Sequence, residues 1–80
     1  MNTYEAVKYR ILQLCEEKHI TINKLASDSG VSRSTLKNIL YGKSKNPGIA
    51  TIKMLCDGIG ISIVDFFNSE VFINLEQEIK

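Results

Sequence analysis

Residues 21–42 read TINKLASDSGVSRSTLKNILYG, and the fold turns on this stretch. Two segments repeat one device. Thr21 is an N-cap residue preceded by Ile20, with Leu25 at the offset where a hydrophobic staple packs. Ser32 is likewise a cap preceded by Val31, with Leu36 at the same offset. Gly30 supplies the backbone freedom that ends the first segment and turns the chain, and Gly42 ends the second. The pattern predicts two short helices, Ile22 to about Ser29 and Arg33 to Tyr41. Leu25 and Ala26 face inward on one; Leu36, Ile39 and Leu40 face inward on the other.

The flanks supply a core behind this pair. Asn2 or Thr3 caps a first helix running to about Lys18, with Glu5 favouring the positive end of its dipole. Its apolar stripe is Val7, Ile11 and Leu14, joined by Leu12 and Cys15. His19 follows as a surface residue at the helix end. On the other side, KSKNPG (43–48) is a polar loop that Pro47 and Gly48 keep from being helical. Ile49, Ile52, Leu55, Cys56 and Ile59 form the inward stripe of a fourth helix that Gly60 stops. Gly58 within it either weakens the helix, by about 1 kcal/mol relative to alanine, or marks close packing. Ser62 caps a short fifth helix, with Asp65 completing a capping box and Ile61 stapling to Phe66. From Asn68 onward Val71, Phe72, Leu75 and Ile79 share one side, so a last helix capped by Ser69 is expected; a short strand over VFINL (71–75) is the alternative.

Eighty residues make one domain, and 44% hydrophobic with 24% charged residues is the composition of an ordinary soluble globular protein. No apolar run approaches the roughly 18 residues that span a bilayer, and MNTYEAVKYR lacks a signal-peptide core, so a cytoplasmic protein without membrane association is expected. Cys15 and Cys56 sit in apolar helical patterns without metal-ligand spacing and read as buried free thiols. One histidine, no clustered acids, no glycine-rich phosphate loop and no serine or cysteine with an evident base argue against an enzyme, a metal site or a cofactor. No small-molecule ligand is evident.

Charge is informative only in its distribution. The net value is +1. Yet Arg33, Lys37, Lys43, Lys45 and Lys53 fall between Ser29 and Met54 with no acid among them, whereas Asp57, Asp65, Glu70, Glu76 and Glu78 follow Met54 against Lys80 alone. One face is thereby suited to phosphate. The outer side of the third helix carries Arg33, Ser34, Lys37, Asn38 and Tyr41, all able to hydrogen-bond. Two helices, a tight turn and a basic outer side form the layout of a helix-turn-helix, whose second helix enters the DNA major groove.

LASDSGVSRSTLKNILYGKSKNP (25–47) and TIKMLCDGIGISIVDFF (51–67) resemble the Cro and phage-repressor type of helix-turn-helix, the XRE family, over roughly residues 3–67. The resemblance implies an all-α, five-helix repressor-like bundle in residues 1–67, with Ser32–Tyr41 as the recognition helix; the acidic extension over 68–80, expected from its spacing to be a short helical segment, lies outside the shared domain. Carried over position by position, base contacts fall on Arg33, Ser34, Lys37 and Asn38; arginine suits guanine and asparagine suits adenine. Lys43, Lys45 and Asn46 correspond to the loop that grips the sugar-phosphate backbone, joined by the helix terminus at Ser32; Tyr41, where the family commonly has a polar or acidic residue, either donates its hydroxyl to phosphate or covers the core. Ile22 stands where the family often has a phosphate-holding glutamine, so that contact is either lost or passed to Thr21 or Asn23. The function implied is a sequence-specific DNA-binding transcriptional regulator, a repressor binding a palindromic operator as a homodimer. The alternative is a protein-interaction module or antitoxin-like adaptor that keeps the fold. Phe66, Phe67, Phe72 and Leu75 are the dimerisation candidates, with burial beneath the first helix as the competing reading.

Overall fold

The computed structural model describes residues 1–79. The elements are α1 (Thr3–Lys18), α2 (Ile22–Ser29), α3 (Arg33–Leu40), α4 (Ile49–Ile59) and α5 (Ile63–Phe67), followed by one 3-10 turn at Glu70–Phe72, with no strand among the described residues.

Local chemistry sets most of the boundaries. Asn2 caps α1 in a reciprocal capping box: its side chain accepts the Glu5 N–H at 2.8 Å, and the Glu5 carboxylate accepts the Asn2 N–H at 2.9 Å. His19 ends the helix in the left-handed conformation, φ 55°. Thr21, Ser32 and Ser62 each accept the N–H three residues on, at 3.0 Å. At Ser62 the reciprocal bond from Asp65 is missing, so this cap is the simple kind and not the expected box. The fraying that short helices suffer is held down by these caps, each worth about 1 kcal/mol.

The core is one cluster in which Ile11, Leu25, Leu36, Ile39, Leu55, Cys56 and Phe66 are the largest fully buried side chains. Ile20 and Ile61, the residues before two of the caps, pack against it half-buried, and Val31 is buried outright. Cys15 and Cys56 are buried free thiols, and burial raises the pKa of both. Two residues of the expected inward stripes face out. Leu12 on α1 is exposed while Ala6 is buried, and Ile49, in the first turn of α4, is 63% exposed while Ile52, Leu55 and Cys56 farther along the helix are buried.

The tightest packing lies between α2 and α4. A Cβ added at Gly58 would stand 2.8 Å from the Ser29 Cβ and 2.9 Å from its backbone, so the glycine marks close approach. Ser29 is the one buried polar residue among those described, its hydroxyl donating to the Leu25 carbonyl.

Arg10 on α1 closes the end of α5: Nε donates to the Phe66 carbonyl at 2.7 Å, and Nη2 donates at 2.8 Å to the Asp65 carbonyl, which also accepts the Asn68 N–H at 3.3 Å. Beyond α5 the expected last helix is absent. Ser69 accepts the Val71 N–H, but helical winding stops after Phe72, with Ile73 extended and Asn74 left-handed at φ 62°. Phe72 packs with its ring centroid 4.9 Å from Phe67 and 6.0 Å from Phe66. The chain turns back from there, and the Glu76 N–H donates to the Met1 carbonyl at 3.2 Å.

Candidate nucleic-acid interface

The outer side of α3 is built from both ends. At its start the Ser32 hydroxyl accepts the Thr35 N–H and donates to the Thr35 hydroxyl at 2.9 Å. At its end the Tyr41 N–H donates to the Lys37 carbonyl at 2.8 Å, and the Lys43 and Ser44 N–H groups converge on the Asn38 carbonyl at 3.0 and 2.9 Å. Gly42 takes a left-handed φ of 84° to make that convergence possible. Lys43 thus skips the Ile39 carbonyl, which accepts the Tyr4 hydroxyl instead.

Arg33, Ser34, Lys37, Asn38, Tyr41 and Lys43 line one open groove of about 440 Å³. All four expected base-reading residues are therefore together, with two expected phosphate residues at the rim. A neighbouring hollow of about 390 Å³ is lined by Asn23, Ser32 and Arg33 and also by Ala26, Ser27 and Gly30, so Arg33 belongs to both. Neither hollow contains an acid. Among the described residues Arg33, Lys37, Lys43 and Lys45 make no ion pair, while Lys53 is held by Asp57 four residues on. Four cations of the acid-free stretch are free for phosphate, and Lys53 is not one of them.

Other expected contacts are spread more widely. Lys45 and Asn46 lie outside the α3 groove, in a cleft beside the start of α1. Thr21 is exposed with its hydroxyl engaged at the α2 cap. Ile22 is half-buried against the core, which gives the apolar residue at that position a packing role. Ser27 was missed because an exposed serine inside a helix carries no signal of its own; only the fold brings it beside Asn23 and Arg33.

Phe66 is 0% exposed and presents nothing to a partner in this fold, and Phe72 and Leu75 are half-buried. Adjacent aromatics at 66 and 67 must point to different sides of a helix, and Phe66 is the one α5 turns inward. An exposed apolar surface lies elsewhere: Ile49, Ile63, Val64 and Phe67, with Asn68, line an open hollow of about 580 Å³, and Val64 is 73% exposed. Of the residues expected at a dimer contact, only Phe67 belongs to it. No group of three or more potential metal ligands occurs among the described residues, and no helix is long and apolar enough to cross a membrane.

Comparison with known proteins agrees with this geometry. A family profile described as Cro/C1-type HTH DNA-binding domain matches residues 10–70. The chain is 32% identical over 65 residues to the HTH-type transcriptional regulator SlrR of Bacillus subtilis (strain 168), covering 80% of this chain and 43% of that protein. It is 39% identical over 57 residues to the HTH-type transcriptional repressor RghR of the same organism, covering 71% of this chain and 42% of that one. The chain thus spans less than half the length of either regulator. The crystal structure of the prophage Lp1 protein 11 superimposes with a TM-score of 0.80 at 34% identity, covering 94% of this chain and all of that one.

Proposed function

Because the chain belongs to the Cro/C1-type helix-turn-helix DNA-binding family, we propose that it is a cytoplasmic, sequence-specific repressor that binds a palindromic operator as a homodimer. The observation that carries the reading is the α3 groove: an acid-free concavity whose cations make no ion pair among the described residues. Arg33, Ser34, Lys37 and Asn38 read base edges; Lys43 and Tyr41 at the rim, and Asn23 and Ser32 in the neighbouring hollow, hold phosphates and set register. Lys45 and Asn46 grip the backbone farther along, with Thr21 at the start of α2.

A single short helix reads too few base pairs to find one site in a genome, and a two-fold pair on half-sites about 34 Å apart solves this. The apolar hollow of Ile49, Ile63, Val64 and Phe67 is the surface best suited to that pairing. The word repressor is supported by the similarity to RghR.

Selection of bound duplexes from a random pool tests the whole reading. The expected outcome is a palindromic consensus with half-sites one helical turn apart; an interaction module that kept only the fold would enrich no sequence and show no loss of affinity with salt.

A further inference from the structure

We infer that the acidic C-terminal tail opposes DNA binding by facing the loop that grips the backbone, with Glu76 and Glu78 setting how tightly that loop holds phosphate. The inference rests on the DNA-binding reading above. Lys45 and Asn46 of the loop line one cleft of about 680 Å³ together with Glu76, Gln77 and Glu78. The start of α1, through its cap Asn2 and through Thr3 and Tyr4, belongs to the same cleft.

The tail is fixed in that place. Phe72 is packed on Phe66 and Phe67, Asn74 turns the chain, and the Glu76 N–H is bonded to the Met1 carbonyl. The Glu76 carboxylate lies 3.8 Å from the Met1 ammonium, and Glu78 makes no ion pair among the described residues. Lys45 is equally unpaired. The loop cation and the tail carboxylates therefore share a cleft without neutralising each other in a direct bridge. A phosphate arriving at Lys45 meets the negative charge of the tail across this shared cleft, a repulsion that salt screens over a Debye length of about 8–10 Å at 0.10–0.15 M. As far as Glu76 the tail cannot swing aside without breaking its aromatic and backbone anchors, so the opposition persists in the complex.

The experiment titrates a fluorescent random-sequence duplex with the full chain at ionic strengths from about 50 to about 300 mM, the range over which phosphate-driven affinity falls steeply. The proteins are wild type, the E76Q/E78Q double variant, K45Q, and K45Q carrying E76Q/E78Q. These glutamates are exposed and the anchoring bond uses the backbone, so the substitutions leave the fold in place. E76Q/E78Q is expected to bind roughly three- to tenfold tighter at low salt, with the advantage shrinking as salt rises. In the K45Q background the gain should be clearly smaller. If wild type binds and E76Q/E78Q matches it at every salt concentration, the inference is overturned and the DNA-binding reading stands. An equal gain with and without Lys45 overturns the placement of the opposition at this loop. Absence of salt-dependent binding by all four proteins overturns both.

Discussion

The Tyr4 hydroxyl donates to the Ile39 carbonyl, joining the first turn of α1 to the last turn of α3. The carbonyl needs that donor because the Lys43 N–H, its partner in a continuing helix, has gone to Asn38. Tyr4→Phe keeps the ring and leaves the acceptor half-buried and unpaired. Urea denaturation should show a loss of about 1 kcal/mol. Unchanged stability would mean that water replaces the hydroxyl without cost.

Gly58→Ala tests the α2–α4 contact. Helix propensity alone predicts a gain of about 1 kcal/mol, but the new methyl group would overlap the Ser29 backbone, which cannot move without shifting α2. Overpacking should prevail, with a net loss of about 1–3 kcal/mol by chemical denaturation. A rise in melting temperature would show that the two helices separate cheaply.

Arg33→Ala and Lys43→Ala should differ in kind. Loss of Arg33 should cost about 1–3 kcal/mol on the selected operator and relax sequence preference. Loss of Lys43 should weaken all sequences alike and lower the log-log salt slope by about 1. Competition binding with specific and random duplexes separates the two; identical behaviour would remove the division between reading and gripping.

Val64→Asp places a charge on the most exposed member of the apolar hollow. Sedimentation should show the proposed dimer dissociating while circular dichroism is unchanged, with operator affinity falling. A persistent dimer would move the contact elsewhere.

Burial raises the pKa of both thiols above their ordinary value near 9.0, so the folded state favours the neutral form. A group whose pKa is raised by folding contributes stability that is present below the unfolded pKa and lost as pH rises through the folded one. Stability should therefore decline above about pH 9, and iodoacetamide at pH 8 should label Cys15 and Cys56 only as the protein unfolds. Rapid labelling of the native protein would show that the α1 and α4 faces open locally.

What the sequence made legible was local. Thr21, Ser32 and Ser62 cap helices because a side-chain oxygen bonds three residues ahead, a relation visible in a short window. The α3 groove was legible for the same reason, since Arg33, Ser34, Lys37 and Asn38 sit on one side of one helix, with Tyr41 and Lys43 just beyond its end. Ile49 was not, because periodicity assigns a side but does not say how far along that side the neighbouring helices reach. Choosing between Phe66 and Phe67 required knowing where α1 lies. Arg10 on the Phe66 carbonyl and Tyr4 on the Ile39 carbonyl join residues 56 and 35 positions apart and have no spacing rule. The tail misled for a related reason: four apolar residues at helical spacing are outweighed by Phe72 joining an aromatic cluster that only the fold assembles.

Tyr41, 73% exposed at the rim of the α3 groove, also makes the interface visible without a label. The chain has no tryptophan and three tyrosines, so its ultraviolet emission comes from Tyr4, Tyr9 and Tyr41 alone. Tyr4 is tied to Ile39 and Tyr9 stands on α1, so Tyr41 is the one fluorophore in the groove. The protein carries its own optical probe at the place where a duplex would sit.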